Sequence, residues 1–152
     1  MSLFLVQHGK NLLKDVDREK GLSDEGKDEV KRIASLAGEY AIPVSAIKHS
    51  GKKRARETAE IFAEVLNPGG GVQEMKGLAP LDDVTKLNVK GEENVMLVGH
   101  LPFMEKLTSY LVTGSSDRPQ VLKFQNGGIV CLDRDEQANS WFVKWTLFPR
   151  IP

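Results

Sequence analysis

The sequence predicts an α/β layered domain, and three features of its hydrophobic pattern lead to that prediction. Residues 3–6 and 95–98 form wholly apolar runs of strand length, which is typical of strands that are covered on both faces. Segments with apolar residues at helical spacing lie between such runs. The chain ends in two β-rich segments around a polar turn, which indicates a hairpin. This alternation of strands and helices favours a sheet with helices packed on it.

The predicted elements follow one another without an internal repeat. The predicted strands lie at residues 3–6, 45–49, 72–75, 95–98, 128–132 and 141–148. The predicted helices lie at about residues 23–39, 52–66 and 81–89, and a further helix opens at 101–103. Ser23 is the expected N-cap of the first helix, because its hydroxyl can accept a bond from a free backbone N–H. Pro102 suits the start of the last helix, where its missing N–H costs little.

Length and charge limit the kinds of protein that this chain can be. With 152 residues, 40% of them hydrophobic, we expect one domain spanning residues 1–152, and we expect a monomer. The 21 basic residues balance the 21 acidic ones, so no global field draws the protein onto nucleic acid or an anionic membrane. The basic cluster at residues 52–56 lacks interleaved aromatic residues, which also argues against a nucleic-acid partner.

The expected location is cytoplasmic. Cys131 is the single cysteine, which excludes an internal disulfide and fits a reducing compartment. It lies in an apolar run, and we expect it to be a buried small residue. The apolar start of the chain lacks a basic leader and meets Gln7 and His8 too soon for a signal peptide or a membrane span.

Residues with useful chemistry follow three of the predicted strands. His8, the loop from Ser50 to Arg54, and His100 each lie just beyond a predicted buried strand. The carboxyl ends of the strands in an open α/β sheet converge on the ligand crevice. We therefore expect these side chains to meet in one site.

These residue types suit phosphoryl transfer. A neutral imidazole such as that of His8 is a competent nucleophile toward phosphorus, because its unshifted pKa leaves a free lone pair near neutral pH. Arg54 offers a forked donor to the phosphoryl oxygens, and His100 donates to another oxygen if it is protonated. The helix start at about Lys52 adds free N–H groups and a dipole that favours an anion. Together these groups predict a phosphate cradle.

Each of these residues also has an ordinary structural interpretation when it is taken singly. A lone His8 or His100 is equally consistent with a structural histidine, and a lone Arg54 with a solvated helix residue. We interpret His49, at the end of a strand, as structural. Three scattered histidines and one cysteine lack the spacing of metal ligands, so we expect neither a metal nor a cofactor.

Four blocks of the sequence resemble the histidine phosphatase superfamily, and they keep the order of that family. They are Leu5-Val6-Gln7-His8-Gly9, similar to the opening Arg-His-Gly signature; Leu22-Ser23-Asp24-Glu25-Gly26, similar to Leu-Thr-x-x-Gly; the run from Ser50 to Ala59, similar to Ser-Pro-x-x-Arg-Ala-x-Gln-Thr-Ala; and Val98-Gly99-His100-Leu101-Pro102, similar to the segment with the second catalytic histidine. Individually the blocks are weak, but as an ordered set they are specific. The His-x-Pro sequence resembles the branch of SixA-like phosphohistidine phosphatases.

The resemblance implies a phosphoglycerate mutase-like fold, which is a three-layer sandwich with a mostly parallel central sheet, helices on both faces and a C-terminal β-hairpin. It implies that His8 is phosphorylated transiently, that Arg54 and His100 bind the phosphoryl oxygens, and that water then releases phosphate. The implied partner is a phosphohistidine-bearing protein or a small phosphorylated substrate. The residues expected to bind the substrate around the catalytic three are Gln7, Gly9, Lys10, Ser50 and Leu101.

The substrate class follows from the leaving group. The chain lacks the long insertions that carry a catalytic glutamate in larger relatives. A phosphoramidate nitrogen is readily protonated and then leaves well, so a dedicated general acid is less necessary than for an alkoxide. We therefore expect phosphohistidine as the substrate, with Asp82 and Asp83 as candidate acids.

One position departs strongly from the family signature, because Gln7 replaces its arginine. Glutamine still donates a hydrogen bond, but it carries no charge, and a charge-assisted bond is roughly twice as strong. Loss of one such donor at a transition state costs about 2.7 to 4 kcal/mol, or about 10² to 10³ in rate, by analogy with oxyanion-hole deletions. Lys10 is a hypothetical source of the missing charge. Gly51 in place of proline is a milder change that affects loop stiffness.

Two alternative functions stay open on the sequence alone. The first is a binding module that keeps the phosphate cradle, has lost turnover because of Gln7, and senses a phosphorylated partner. The second is a phosphatase for small phosphate esters. Turnover of phosphohistidine would indicate a phosphohistidine phosphatase, and turnover of sugar phosphates alone would indicate an ester phosphatase. Turnover of neither would indicate a binding module.

Overall fold

A computed structural model describes residues 1–117 and 120–151 of the chain. The described strands are β1 (Ser2–Gln7), β2 (Ala46–His49), β3 (Val72–Glu74), β4 (Val95–Gly99), β5 (Ile129–Asp135) and β6 (Ser140–Leu147). The described α-helices are α1 (Asp24–Glu39), α2 (Lys53–Leu66) and α3 (Phe103–Thr113). These elements confirm all six predicted strands and three of the four predicted helices.

The strands form one sheet in the order β3-β2-β4-β1-β5-β6. The first four run parallel, whereas β5 is antiparallel to β1, and β6 pairs antiparallel with β5 as a hairpin. Helices α1 and α2 pack on one face, called the α1 face below, and α3 packs on the other, the α3 face. The predicted three-layer α/β sandwich with a mostly parallel sheet and a C-terminal hairpin is therefore confirmed.

Alternate residues of β1 enter two separate cores. Phe4 and Val6 pack on the α1 face, and Leu3 and Leu5 pack on the α3 face. All four side chains are at most 1% exposed. A strand that is covered on both faces has no need for polar alternation, which explains the unbroken apolar run in the sequence.

The start of α1 is joined to the segment that follows β1. The Ser23 hydroxyl accepts the Gly26 N–H at 3.0 Å as the N-cap, and the Ser23 N–H donates to the Lys10 carbonyl at 3.0 Å. A Cβ at Gly26 would lie 2.1 Å from the Lys10 carbonyl oxygen, so only glycine allows this approach. The cap and the glycine fix the chain just beyond His8 against a helix.

The prediction of a helix at residues 81–89 is wrong. The segment contains only a 3₁₀ turn at Val84–Lys86. The Asp82 carboxylate accepts the Ala79 N–H at 2.9 Å, and the Asp83 carboxylate accepts the Thr85 N–H at 3.0 Å. Short acidic side chains that bond to neighbouring backbone in this way compete with the hydrogen bonds of an α-helix.

The parallel strands β1, β2 and β4 end at the same edge of the sheet. His8 follows β1, Ser50 follows β2 and His100 follows β4, so the topology brings the three strand ends together as expected. Among residues 1–117 and 120–151, no helix combines the length and the apolar character that crossing a bilayer requires. The same residues contain no cluster of histidine, cysteine and acidic side chains that could hold a metal ion.

Candidate active site

His8 and His100 lie side by side at the carboxyl edge of the sheet. Gln7 and Gly99 are register partners in the parallel pair of β1 and β4, and the His8 N–H donates to the Gly99 carbonyl at 3.0 Å. The residues that follow these strands are therefore neighbours. The centroids of the two imidazole rings are 5.1 Å apart, with 53° between the ring planes. His8 is 8% exposed and His100 is 1% exposed.

The ring of His8 is oriented by its own backbone. Its Nδ1 lies 2.7 Å from the Gly9 carbonyl oxygen. Because a carbonyl can only accept, Nδ1 must carry the proton, and Nε2 of the neutral ring then keeps the free lone pair. The Gly9 N–H donates to the Thr58 hydroxyl at 2.9 Å, and the Asn126 side-chain amide donates to the His8 carbonyl at 3.0 Å.

Thr58 and Asn126 are positioning residues to which the sequence analysis gave no role. The Thr58 hydroxyl donates to the Arg54 carbonyl at 2.8 Å, so one side chain joins the His8 segment to the turn of α2 that carries Arg54. The spacing of four residues between Arg54 and Thr58 is a signal that could have indicated this bond. Asn126 lies in the connection before β5, and nothing local in the sequence links it to His8.

Ser50 contacts His100 directly. The distance between the Ser50 Oγ and the His100 Nε2 is 2.6 Å, and the Lys52 N–H donates to the same hydroxyl at 3.4 Å. His100 Nδ1 is buried and has no hydrogen-bond partner among the described residues. When the hydroxyl donates to Nε2, the neutral ring carries its proton on Nδ1 and has an N–H to donate. In that arrangement the N–H on Nδ1 is the group of His100 that is left without a partner among the described residues.

Arg54 brings a positive charge to the two rings. It is half-buried in the first turn of α2, and its charge adds to the effect of burial in lowering the pKa of His8 and of His100. Burial lowers the pKa of Arg54 itself from its usual value. Within residues 1–117 and 120–151 its guanidinium makes no hydrogen bond and no ion pair, so its forked donors are free to bind an anion.

Burial keeps both histidines neutral. Desolvation lowers the pKa of His8 to about 4, with Arg54 adding to the effect and the bond to Gly9 opposing it. Desolvation, His8, Arg54 and Lys52 lower the pKa of His100 to about 3. The donor role predicted for His100 was conditional on a protonated ring. Burial disfavours that charged form, so the ring can donate only from the N–H of its neutral form.

These pKa values can be tested by an NMR titration of the imidazole nitrogens. We expect His8 and His100 to titrate near pH 4 and pH 3, because burial disfavours the charged rings. The unfolded chain binds these protons near pH 6.5. The contribution of the two neutral rings to the free energy of unfolding should therefore be complete above that pH, and it should fall as the pH is lowered toward 4. Midpoints near pH 6.5 for both rings in the folded protein would contradict their burial.

Gln7 occupies the edge of the site with one amide atom unsatisfied. Its Oε1 is buried and accepts no hydrogen bond from the described residues. Its backbone is fixed, because the Gly127 N–H donates to the Gln7 carbonyl at 2.9 Å. The amide carries no charge, whereas an arginine at this position would carry a charged fork.

The Lys10 side chain forms ion pairs with acidic residues of α1. The Lys10 ammonium lies 2.6 Å from a Glu25 oxygen and 3.8 Å from a Glu29 oxygen, both on α1. The interaction therefore does not support the hypothesis that Lys10 replaces the charge missing at Gln7.

The other residues that were considered for the site make mainly structural contacts. A Cβ at Gly9 would lie 2.7 Å from a methyl carbon of Val30, so Gly9 serves close packing. Leu101 is half-buried against the core of the α3 face, directly after His100. His49 accepts the Gly51 N–H on its Nδ1 at 3.0 Å, which is a structural role. The exposed Asp82 and Asp83 bond to their own loop, as described above.

The chain is similar to known proteins at the level of structure. No family model and no curated protein matches the sequence. The protein histidine phosphatase SixA, solved with tungstate, matches with a TM-score of 0.83 at 23% identity, over 98% of this chain and 97% of that chain. A candidate phosphohistidine phosphatase SixA from Agrobacterium tumefaciens matches with a TM-score of 0.75 at 22% identity, over 96% of each chain. A mycobacterial glucosyl-3-phosphoglycerate phosphatase, solved with VO3, matches with a TM-score of 0.73 at 16% identity, over 95% of this chain and 97% of that chain.

The chain has the phosphoglycerate mutase-like fold of SixA. Its structural neighbours are SixA phosphohistidine phosphatases and other proteins of the histidine phosphatase superfamily. The SixA chain is matched over nearly its whole length, so the two chains share the fold. Identities below a quarter of the residues establish the fold of SixA, and the chemistry must be argued from the side chains.

Proposed function

We propose that the protein is a phosphohistidine phosphatase that works through a transient phosphohistidine at His8. The observation that carries the proposal is the free Nε2 of a neutral, buried His8 beside His100 and the unpaired charge of Arg54. A nucleophile, a charged fork and a second imidazole in one crevice are the groups that phosphoryl transfer requires. The tungstate and VO3 bound by two structural neighbours are oxyanions that resemble the transferred group.

The reaction proceeds in two displacements. In the first, the Nε2 of His8 attacks phosphorus, the N–P bond of the substrate breaks, and the leaving nitrogen takes a proton from solvent. In the second, a water molecule attacks phosphorus, the bond between phosphorus and Nε2 breaks, and inorganic phosphate leaves with the protons of that water. The lone pair of His8 is restored, so the ring is ready for another turnover.

Three groups stabilise the charge that develops on the phosphoryl oxygens. Arg54 supplies the charged donors, and the neutral His100 supplies an N–H that the Ser50 hydroxyl holds in the correct form. Gln7 adds a neutral amide donor. The low exposure of both histidines strengthens each of these interactions, because a buried site has a lower effective dielectric than water.

The contacts of the two candidate acids favour a nitrogen leaving group. Hydrogen bonds from Thr85 lower the pKa of Asp83, which is the opposite of what a general acid near neutral pH requires. Asp82 bonds to the Ala79 N–H in the same exposed loop. An alkoxide needs a proton as it leaves, whereas a phosphoramidate nitrogen is already basic enough to take one from solvent.

Phosphate release from a small phosphoramidate and from a phosphohistidine peptide tests the proposal. We expect turnover of both and an acid-labile phosphoryl adduct on His8. Sugar phosphates serve as the comparison substrates. Rapid turnover of sugar phosphates without any release from phosphohistidine would favour an ester phosphatase, an alternative that the glucosyl-3-phosphoglycerate phosphatase among the structural neighbours supports.

Replacing Gln7 with arginine distinguishes an enzyme from a binding module. We expect Gln7→Arg to raise kcat/KM by about tenfold, because a charge-assisted donor is about twice as strong as a neutral one. Gln7→Met, which keeps the length and removes the donor, is the matched control and should lower kcat/KM. A wild-type protein that binds phosphate without turnover, and that gains about 10³-fold or more in Gln7→Arg, would instead identify a binding module.

A further inference from the structure

A second cavity of about 500 Å³ opens on the α1 face, far from the histidines. It lies between the start of β1, the segment that follows α1, and β6. Its lining includes Phe4, Ile42, Cys131, Lys144, Trp145 and Leu147. The cavity begins at the amino end of β1, whereas His8 follows the carboxyl end, and a strand of six residues spans about 20 Å. The two sites are therefore at opposite edges of the sheet.

A β-bulge brings the charge of Lys144 to this cavity. Cys131 pairs with Trp145, and the next residue of β5, Leu132, pairs with Val143, so Lys144 is an extra residue in β6. In a regular strand Lys144 and Trp145 would point to opposite faces. The bulge places both of them in the lining on the α1 face. Bulges re-aim side chains in this way next to functional sites.

The rest of the lining is largely apolar and aromatic. The ring of Trp145 forms one wall and packs on the buried ring of Phe4, with centroids 6.0 Å apart and 45° between their planes. Cys131 is 1% exposed, and burial raises the pKa of its thiol, so this part of the lining is uncharged. Among the lining residues that the structure describes, Lys144 is the one that carries a charge. Asp133, outside the lining, lies 3.4 Å from the Lys144 ammonium and orients it.

The opposite wall is a helix end held in an unusual conformation. Beyond α1, the Ala41 N–H donates to the Gly38 carbonyl at 3.0 Å, and the Ile42 N–H donates to the Ala37 carbonyl at 3.3 Å. This pattern is the Schellman motif, whose left-handed residue is usually glycine. Ala41 has a φ of 51° there and still contributes its side chain to the lining. Ala41 therefore occupies a left-handed position that glycine would adopt without steric conflict. The wall has an apolar side chain there, which glycine would lack.

We propose that this cavity binds a small carboxylic acid with a flat aromatic body. The volume falls within the roughly 300 to 1,000 Å³ of small-molecule sites. The lining part of β6, residues 144–147, spans only about 10 Å, which suits a compact molecule better than a helix of several turns. The aromatic wall contacts the ring system, and the Lys144 ammonium pairs with the carboxylate. The inference does not depend on the phosphatase proposal.

An NMR titration with 2-naphthoate tests the cavity, because the chain carries its own internal control. Trp145 lines the cavity, whereas Trp141 packs on the α3 face. We expect the indole N–H signal of Trp145 to shift in a saturable manner, and that of Trp141 to stay in place. Equal shifts of both signals, or no saturable shift up to about 5 mM, would overturn the proposal.

A substitution at Lys144 tests the preference for a carboxylate. Lys144→Met should weaken 2-naphthoate binding by about tenfold, the usual effect of losing a hydrogen bond to a charged group, and should change the binding of neutral 2-naphthalenemethanol by less than about twofold. Lys31→Met, at an exposed position on α1, is the matched control and should change neither affinity. The two indole signals report that each variant is folded. Equal naphthoate affinities in wild type and Lys144→Met would overturn the assignment of the ligand class.

Discussion

Replacing His8 with alanine is expected to lower phosphate release from phosphohistidine by at least about 10³-fold. The reason is that the proposed reaction forms its covalent intermediate on the Nε2 of this ring. The acid-labile phosphoryl adduct should disappear from the protein at the same time. Steady-state phosphate release and mass spectrometry of the intact chain after a brief incubation measure the two effects.

His49 provides the matched control for this experiment. It is buried like His8, at 6% exposure, but its Nδ1 accepts a backbone N–H and takes no part in the proposed reaction. His49→Gln should retain activity within about tenfold, since an amide can still accept that bond. A His8→Ala protein that kept a substantial part of the wild-type rate would remove His8 as the nucleophile.

Replacing Arg54 with methionine is expected to lower kcat/KM by about 10² to 10³, by analogy with the loss of one oxyanion donor. The guanidinium is half-buried and unpaired within the described residues, so its charge and its fork are both available to the phosphoryl group. Arg54→Lys keeps the charge and loses the forked donor, so its kcat/KM should lie between those of the wild type and Arg54→Met. Initial rates over a range of substrate concentrations measure the effect.

Arg56, two residues along the same helix, is the control. It is about half exposed and forms a surface ion pair with Glu60 at 3.6 Å, a kind of interaction that contributes little to stability. Arg56→Met should therefore leave kcat/KM nearly unchanged. If Arg54→Met and Arg56→Met had the same small effect, the assignment of Arg54 to the phosphoryl group would be contradicted.

Much of the fold follows from local sequence patterns. The unbroken apolar run of β1 predicted a strand buried on both faces, and Ser23 predicted the start of α1 within one residue. The segment at 81–89 shows the limit of this reasoning. There Asp83 accepts the Thr85 N–H that a helix over this segment would use. Val84 and Val89 are buried by the rest of the protein, whereas Leu81 is exposed.

The site was predictable as a meeting of strand ends, but its details were not. His8, Arg54 and His100 were predicted to meet because the carboxyl ends of the strands in an α/β sheet converge, and the rings of His8 and His100 do lie 5.1 Å apart. The neutral state of His100 depends on tertiary burial, which leaves no local mark in the sequence. The same is true of the contact between Asn126 and His8, which are 118 residues apart. The ion pair of Lys10 with Glu25 on α1 is likewise a tertiary contact that the local sequence does not show.

A crystal structure with tungstate tests the central claim most directly, because this tetrahedral oxyanion mimics the transferred phosphoryl group. We expect the ion to lie against the Nε2 of His8, with the guanidinium of Arg54 and the ring of His100 donating to its oxygens. Tungstate bound elsewhere on the surface, with His8 and Arg54 making no contact to it, would contradict the proposed site.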